Sequence, residues 1–316
     1  MEKFSDWRDK ATGISPFMPI PKPKGSIVIN NIIKPITFII KLPILIILSI
    51  FFIFFNNILT IKPIRDFFLF NLILKFIFNI KDIEVVVEGV KKSNLKLIND
   101  KKPEINDICI LNYSSPFDAI AFSLISKSNK IVYLLSDKNG NLLKFNSLFN
   151  FFKFTAFNQN INDEDSTICD GGILKDVSEL EGKTACVFFE GTPSNNKSIL
   201  YPNKNLFDIK RFKSAATTDG SPFSLKLVSI TCSPYLTTPL PRSVGKYLYD
   251  QMVEGSSCGY KMKIFEETSL DISKLTWLQV REKLSQSGRL KLVGRELSIE
   301  SKKKFFDAFK KGKKIN

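Results

Sequence analysis

The stretch NYSSPFD, residues 112–118, follows the apolar run ICIL at 108–111 and opens directly into a second apolar run, AIAFSLI, at 119–125. A β-like run that feeds a short polar loop and then a helix is the repeating unit of a layered α/β domain. Its loop presents side chains at a strand end. Farther along, TACVFF at 184–189 leads into EGTPS at 190–194. Two loops leaving strand ends of one sheet can face a shared cleft. The flanking chain has the same texture. Strands are predicted at 83–87, 108–111, 131–135, 185–189, 225–231 and 261–265, each rich in Val, Ile or Phe and bounded by Gly, Asn, Asp or Ser. A helix is predicted at 116–126. The stretches 91–107 and 157–172 read as polar loops, and no repeat of solenoid period is present.

The 316 residues suffice for one large domain or two small ones. With 46 Lys and Arg against 31 Asp and Glu, the net charge is +15, which calls for an anionic partner: nucleic acid, an acidic membrane surface or a phosphorylated substrate. Abundant Lys, Asn, Ile and Phe together also fit the bias of an AT-rich genome. Nucleic acid is set aside, because the lysines are spread among apolar stretches and no zinc-finger, basic-zipper or RNP pattern occurs. The five cysteines, Cys109, Cys169, Cys186, Cys232 and Cys258, are scattered and read as separate thiols of a reducing compartment. With no histidine and no paired cysteines, no transition-metal centre is expected, and no cofactor is assigned.

Before the α/β texture begins, residues 1–35 mix charge, Gly and Pro ahead of any apolar run, unlike a cleavable signal. From Leu42 to Ile61 twenty residues carry no charge, enough for about 30 Å of helix. A shorter run at 67–80 carries Lys75, and KPIRD lies between the two. Both runs crossing would put Lys62 and Arg65 on the far side, against the positive-inside tendency; one run crossing has no orienting asymmetry. A hairpin dipping into one leaflet fits the charges best and keeps both ends on one side. A buried helix pair is the other reading. The expected organisation is a segment 1–35, membrane-associated helices 36–80, an α/β domain 81–270 and a basic helical segment 271–316. In the last, Ser273 is expected to cap a helix, Gly288 to interrupt it and Ser298 to start another. That final helix mixes Phe305, Phe306 and Phe309 with Lys302 and other lysines, as a surface helix or a contact for acidic headgroups.

The two loops resemble the first and third sequence blocks of the glycerolipid (lysophospholipid) acyltransferases, NHxxxxD and FPEGTRS. The resemblance implies a layered α/β acyltransferase fold with the membrane-embedded hairpin at its N-terminus. Asn112 and Asp118 hold their slots, and Tyr113 stands where the family has its histidine base. A phenol with pKa near ~10 is about one part in a thousand ionised at neutral pH. Tyr113 is therefore either an occupant of the base position or a packed loop residue, and Asp118 acting through a water is another route. Glu190, Gly191 and Thr192 match the acceptor-binding block, whereas Pro193 replaces its arginine. The following SNNK is similar to the continuation in lysophosphatidylcholine acyltransferases and ancient ubiquitous protein, which makes Lys197 the candidate phosphate cation or else a surface lysine. For the second block only Lys144 and Lys153 are in place. The fourth is matched by LVSITCSP, ending at Pro234.

Together with MEKFSDWRDKATGISPF, LQVREKL and LVGRELSIESKKKF, the blocks look like those of the fungal lysophosphatidic acid:oleoyl-CoA acyltransferases of lipid droplets. That likeness implies acyl-CoA as co-substrate, lysophosphatidic acid as acceptor, and a home at the endoplasmic reticulum and the lipid-droplet monolayer with the domain facing the cytosol. The alternative is a catalytically degenerate member of the fold that binds lipid and organises droplets or membrane traffic.

Overall fold

A computed structural model describes residues 2–20, 26–54, 61–157, 169–203, 205–206, 208–217, 222–233, 240, 244–253, 258–265, 275–286 and 290–313. Among these, α1 (Lys34–Phe54) and α2 (Lys62–Phe67) precede β1 (Ile80–Val87), α3 (Leu95–Asp100), β2 (Asp107–Leu111) and α4 (Phe117–Ile125). Then come β3 (Ile131–Ser136), β4 (Leu142–Phe145), α5 (Leu148–Phe157), β5 (Thr184–Phe188), β6 (Ser198–Ile199) and α6 (Ile209–Thr217). The rest is β7 (Ser224–Ser233), α7 (Val244–Met252), β8 (Cys258–Phe265), α8 (Trp277–Ser285), β9 (Lys291–Leu292) and α9 (Ile299–Lys313). Seven strands form one sheet in the order β1-β8-β7-β2-β5-β3-β4. The pairs β1–β8, β7–β2, β2–β5 and β5–β3 are parallel, and β8–β7 and β3–β4 are antiparallel. All six predicted strands form. The missed β4 is a short edge strand, and β6 and β9 make a separate two-residue parallel pair.

Alternation along the strands makes two cores. Cys109, Leu111, Tyr133, Cys186, Phe188 and Ile230 point to the face covered by α4, α5, α7 and the N-terminal helices. Ile108, Ile110, Val132, Val187 and Leu227 point to the opposite face, under α6 and α8. A strand buried on both faces explains the unbroken apolar runs that betray β2 and β5. Within 91–107, read as a loop, Asn94 caps α3 by accepting from Leu97 N. Most of the other polar stretch, the proposed interruption at Gly288, Ser273 and Pro234 lie outside the described residues. The cap of α8 is Thr276, whose side chain accepts from Gln279 N while the Gln279 side chain accepts from Thr276 N. Cys232 on β7 and Cys258 on β8 face each other, their Cα atoms 6.7 Å apart. Cys109 and Cys186 are buried thiols.

The apolar N-terminal segment folds back on itself, but not as two lipid-facing legs. Ile29–Phe52 is long and apolar enough to cross a bilayer. The return leg, α2 and the π-helical Phe68–Ile77, buries Phe68, Leu69, Leu74 and Ile77 against the sheet. Arg65 donates to the carbonyls of Ser123 and Asn129, and Lys41 Nζ to those of Ile77 and Met252, so both turn and base are tied to the α/β body. Apolar residues that find partners on the sheet have no need of lipid. Outward lie one face of α1, where Ile36, Ile39, Ile40, Ile46, Ile47 and Ile50 are half exposed or more, and a smaller set on the return leg, Ile64, Phe67 and Phe76.

The two ends of the chain meet. Trp7 Nε1 donates to Ser301 O, Gly294 N to Asp9 Oδ1, and Phe17 packs with Leu200, Phe305 and Phe306. Residues 2–20 and α9 thereby make a collar around the segment that follows β5. Asn195 Nδ2 donates to the carbonyls of Ser15 and Met18 from that segment.

Candidate active site

Leu111 and Phe188 are paired at the ends of the adjacent parallel strands β2 and β5, so NYSSPFD and EGTPS leave the sheet side by side. The loops are stitched in both directions. Tyr113 N donates to Glu190 Oε1 at 2.8 Å, and Ser194 N donates to Tyr113 O at 3.0 Å. The second Glu190 oxygen accepts from Leu200 N at 2.7 Å. Glu190 is thus the brace of its own loop, with both oxygens spent on backbone. Burial pushes its carboxyl up to about 8, opposed by the two N–H groups and by the Arg281 guanidinium. Gly191 takes φ +68° to turn the chain over Ser136, and Thr192 beside it is buried.

Asn112 is equally committed. Its Nδ2 donates to Ile230 O at 2.9 Å and its Oδ1 accepts from Ile230 N at 2.7 Å, fastening the loop to β7 on the other side of β2. The geometry therefore gives Asn112 a positioning part. Asp118 sits in the first turn of α4, where the helix dipole favours an anion. Its Oδ2 accepts from Ser114 N at 2.7 Å, Ser114 Oγ at 2.9 Å and Ser115 N at 2.9 Å. Its Oδ1 has no hydrogen-bond partner, and the residue has no exposed surface. Burial pushes this carboxyl up to about 6, with the Ser114 and Ser115 N–H groups holding it from rising further. A carboxylate poised near that value is suited to take a proton at neutral pH.

Tyr113 is 1% exposed, its ring 4.8 Å from that of Phe188. Burial raises its phenol well above the usual value, so it stays protonated at neutral pH and does not serve as the base. Tyr113 is thus a packed loop residue within reach of the Asp118 charge.

Of the candidate cations, Lys144 is ion-paired with Glu179. Lys153 is exposed on α5 at the edge of an apolar groove. Lys197 is partly buried and its carbonyl accepts from Lys291 N as β6 pairs with β9. The cation that reaches the loop is one the spacing does not single out. Lys302 Nζ from α9 donates to Pro193 O at 2.6 Å, at the position where the resembled block has its arginine. It is 3% exposed, and burial lowers its ammonium to about 7, with Glu190 opposing. Only assembly distinguishes it from its lysine neighbours. Among the described residues no cluster of His, Cys, Asp and Glu could hold a metal.

An apolar groove of about 300 Å³ runs along this flank, lined by α1, the return leg, Ile120 of α4, Phe152 of α5 and Leu248 of α7. Phe117, next to Asp118, packs on Phe78 and Phe152 at its wall. Fold and site define an α/β protein with two braced strand-end loops beside an apolar groove. The resemblance to acyltransferases extends along the whole chain. The sequence is 28% identical over 320 residues to "Lysophosphatidic acid:oleoyl-CoA acyltransferase 1" of Saccharomyces cerevisiae, covering 96% of each. No family model and no solved structure matches.

Proposed function

We propose that this protein is a membrane-associated acyltransferase that moves the acyl group of an acyl-CoA onto lysophosphatidic acid, giving phosphatidic acid. The observation that carries the reading is the full-length likeness to a yeast protein of that printed name. The site chemistry supports it. Asp118, with a free carboxylate oxygen and a pKa near 6, takes the proton of the acceptor hydroxyl in place of the missing histidine. Glu190 and Gly191 shape the second loop. Thr192, Lys197 and Lys302 supply the hydroxyl and the charges for the acceptor's phosphate. The acyl chain lies in the groove beside Phe152 and Leu248. Purified protein given oleoyl-CoA and lysophosphatidic acid is expected to form phosphatidic acid and free CoA in equal amounts. Binding of oleoyl-CoA with no product would instead support a catalytically degenerate lipid-binding protein, a reading favoured by the burial of Tyr113, Asp118 and Glu190.

The outer face of α1 supports attachment to one leaflet, at the endoplasmic reticulum or a lipid-droplet monolayer, with the α/β domain in the cytosol. Removing residues 35–80 is a poor test, because the return leg is core. Ile39→Lys with Ile47→Lys changes only exposed positions. A fully buried Ile is worth roughly 1.5–3 kcal/mol, so the pair is expected to weaken co-flotation with phospholipid vesicles by on the order of 10²-fold or more. Undiminished flotation would rule this face out as the anchor.

A further inference from the structure

Four buried polar atoms lie around the candidate centre without a hydrogen bond of full geometry, namely Asp118 Oδ1 and the hydroxyls of Tyr113, Tyr247 and Tyr260; Thr155 is the neighbour of the first phenol, and the Asp118 carboxyl that of the last. None of the four residues is more than 2% exposed. They come from four places in the chain, namely the loop after β2, the first turn of α4, the middle of α7 and the third residue of β8. The charge of Asp118 acts on all three phenols, and the Ser115 hydroxyl lies beside Tyr260. Leaving such a group unsatisfied is costly, and buried hydroxyls in folded proteins are nearly always bonded. Four at one point is the signature of a place made for something else.

The inventory of bonds says what fits. Three phenols offer three O–H donors, and burial keeps them protonated. Asp118 Oδ1 offers an acceptor. A guest that both receives donors on an oxygen and gives up a proton from a second oxygen matches that set. A carbonyl being attacked by a hydroxyl group is such a pair. The apolar groove shares α4 and α7 with the cluster, and Leu248 of its wall is the residue after Tyr247. An acyl chain in the groove therefore brings its carbonyl end toward these hydroxyls.

We propose that Tyr113, Tyr247 and Tyr260 form the oxyanion site of this protein, around the free oxygen of Asp118. The inference rests on the acyltransferase reading and deepens it. The acceptor hydroxyl oxygen bonds to the thioester carbon while its proton passes to Asp118 Oδ1. The carbonyl oxygen becomes an oxyanion held by the phenol O–H groups. Collapse breaks the carbon–sulfur bond, and the CoA thiolate leaves and recovers the proton from Asp118. The hydroxyls contribute most to the tetrahedral state, because they are fixed in a site closed to water.

Tyr247→Phe and Tyr260→Phe remove one oxygen each and keep the ring. A purely structural tyrosine with an unsatisfied hydroxyl would lose nothing, or become more stable, on that change. The expected result is a fall in kcat of about 10²-fold for each variant at unchanged Tm, with KM for lysophosphatidic acid little altered. A second readout does not need turnover. Adding oleoyl-CoA alone should perturb the tyrosine ultraviolet absorption of the wild-type protein, and less so in Tyr247→Phe. Wild-type kcat in both variants, with an active parent, overturns the oxyanion site and leaves the acyltransferase reading standing. A parent that binds oleoyl-CoA yet makes no phosphatidic acid overturns both.

Discussion

Asp118→Asn is expected to lower phosphatidic acid formation by about 10²- to 10⁴-fold, the usual consequence of losing a general base. The amide keeps the shape of the carboxylate, and its oxygen can accept from Ser114 N, Ser115 N and Ser114 Oγ as Oδ2 does now. Its NH₂ then faces the tyrosine hydroxyls as a donor, with no means of taking a proton. Folding should not suffer. The folded pKa of Asp118, about 6, lies above its ordinary 3.8, so the native state binds the proton more tightly than the unfolded chain. Its charge therefore weakens the fold increasingly as pH rises from about 4 through 6, and a neutral amide escapes that penalty. In the parent protein, kcat should drop as pH falls through about 6, as the base becomes protonated. A variant that folds normally and retains parent kcat across that range would remove Asp118 from the chemistry.

Much of this arrangement is legible in the chain, and the limits have physical causes. The central strands declare themselves as continuous apolar runs because both faces are covered, and the loops after β2 and β5 stand out against them. The edge strand β4 and the pair β6–β9 are too short for a periodic pattern. Thr276 with Gln279 is a capping box visible at its spacing, yet the nearby Ser273 competes for the same role. The hairpin is harder. Leu69, Leu74 and Ile77 look like lipid-facing residues until the sheet is present to cover them. Site residues from distant elements leave no local signal. Tyr247, between Lys246 and Leu248, and Tyr260, between Gly259 and Lys261, carry no motif, and only the assembled fold brings their hydroxyls together around Asp118. Lys302 is one member of a lysine-rich run. The turn of α9 that buries it on Pro193, between Phe17 and Phe306, depends on the N-terminal segment some three hundred residues away.

Gly191→Ala is expected to harm both fold and site far out of proportion to its single added methyl group. At φ +68° a side chain costs about 1–2 kcal/mol in an L-residue. The added Cβ would also stand 2.3 Å from Ser136 O and 2.8 Å from Ile299 Cδ1. The isoleucine can turn aside, but the backbone carbonyl at the end of β3 cannot, so the loop after β5 must lift from the sheet. Overpacking of that kind typically costs a further 1–3 kcal/mol or so. The damage spreads through Glu190, whose two oxygens hold Tyr113 N and Leu200 N only while the turn is tight. A loss of roughly 2–5 kcal/mol in chemical denaturation is expected, together with loss of acyl transfer. Gly172, also at positive φ but with nothing within 4 Å of its added Cβ, provides the control. Gly172→Ala should show the conformational cost alone, near 1–2 kcal/mol, with activity retained. Equal destabilisation by the two changes would mean that contact with Ser136 contributes nothing, and that the loop after β5 is not held against the end of β3.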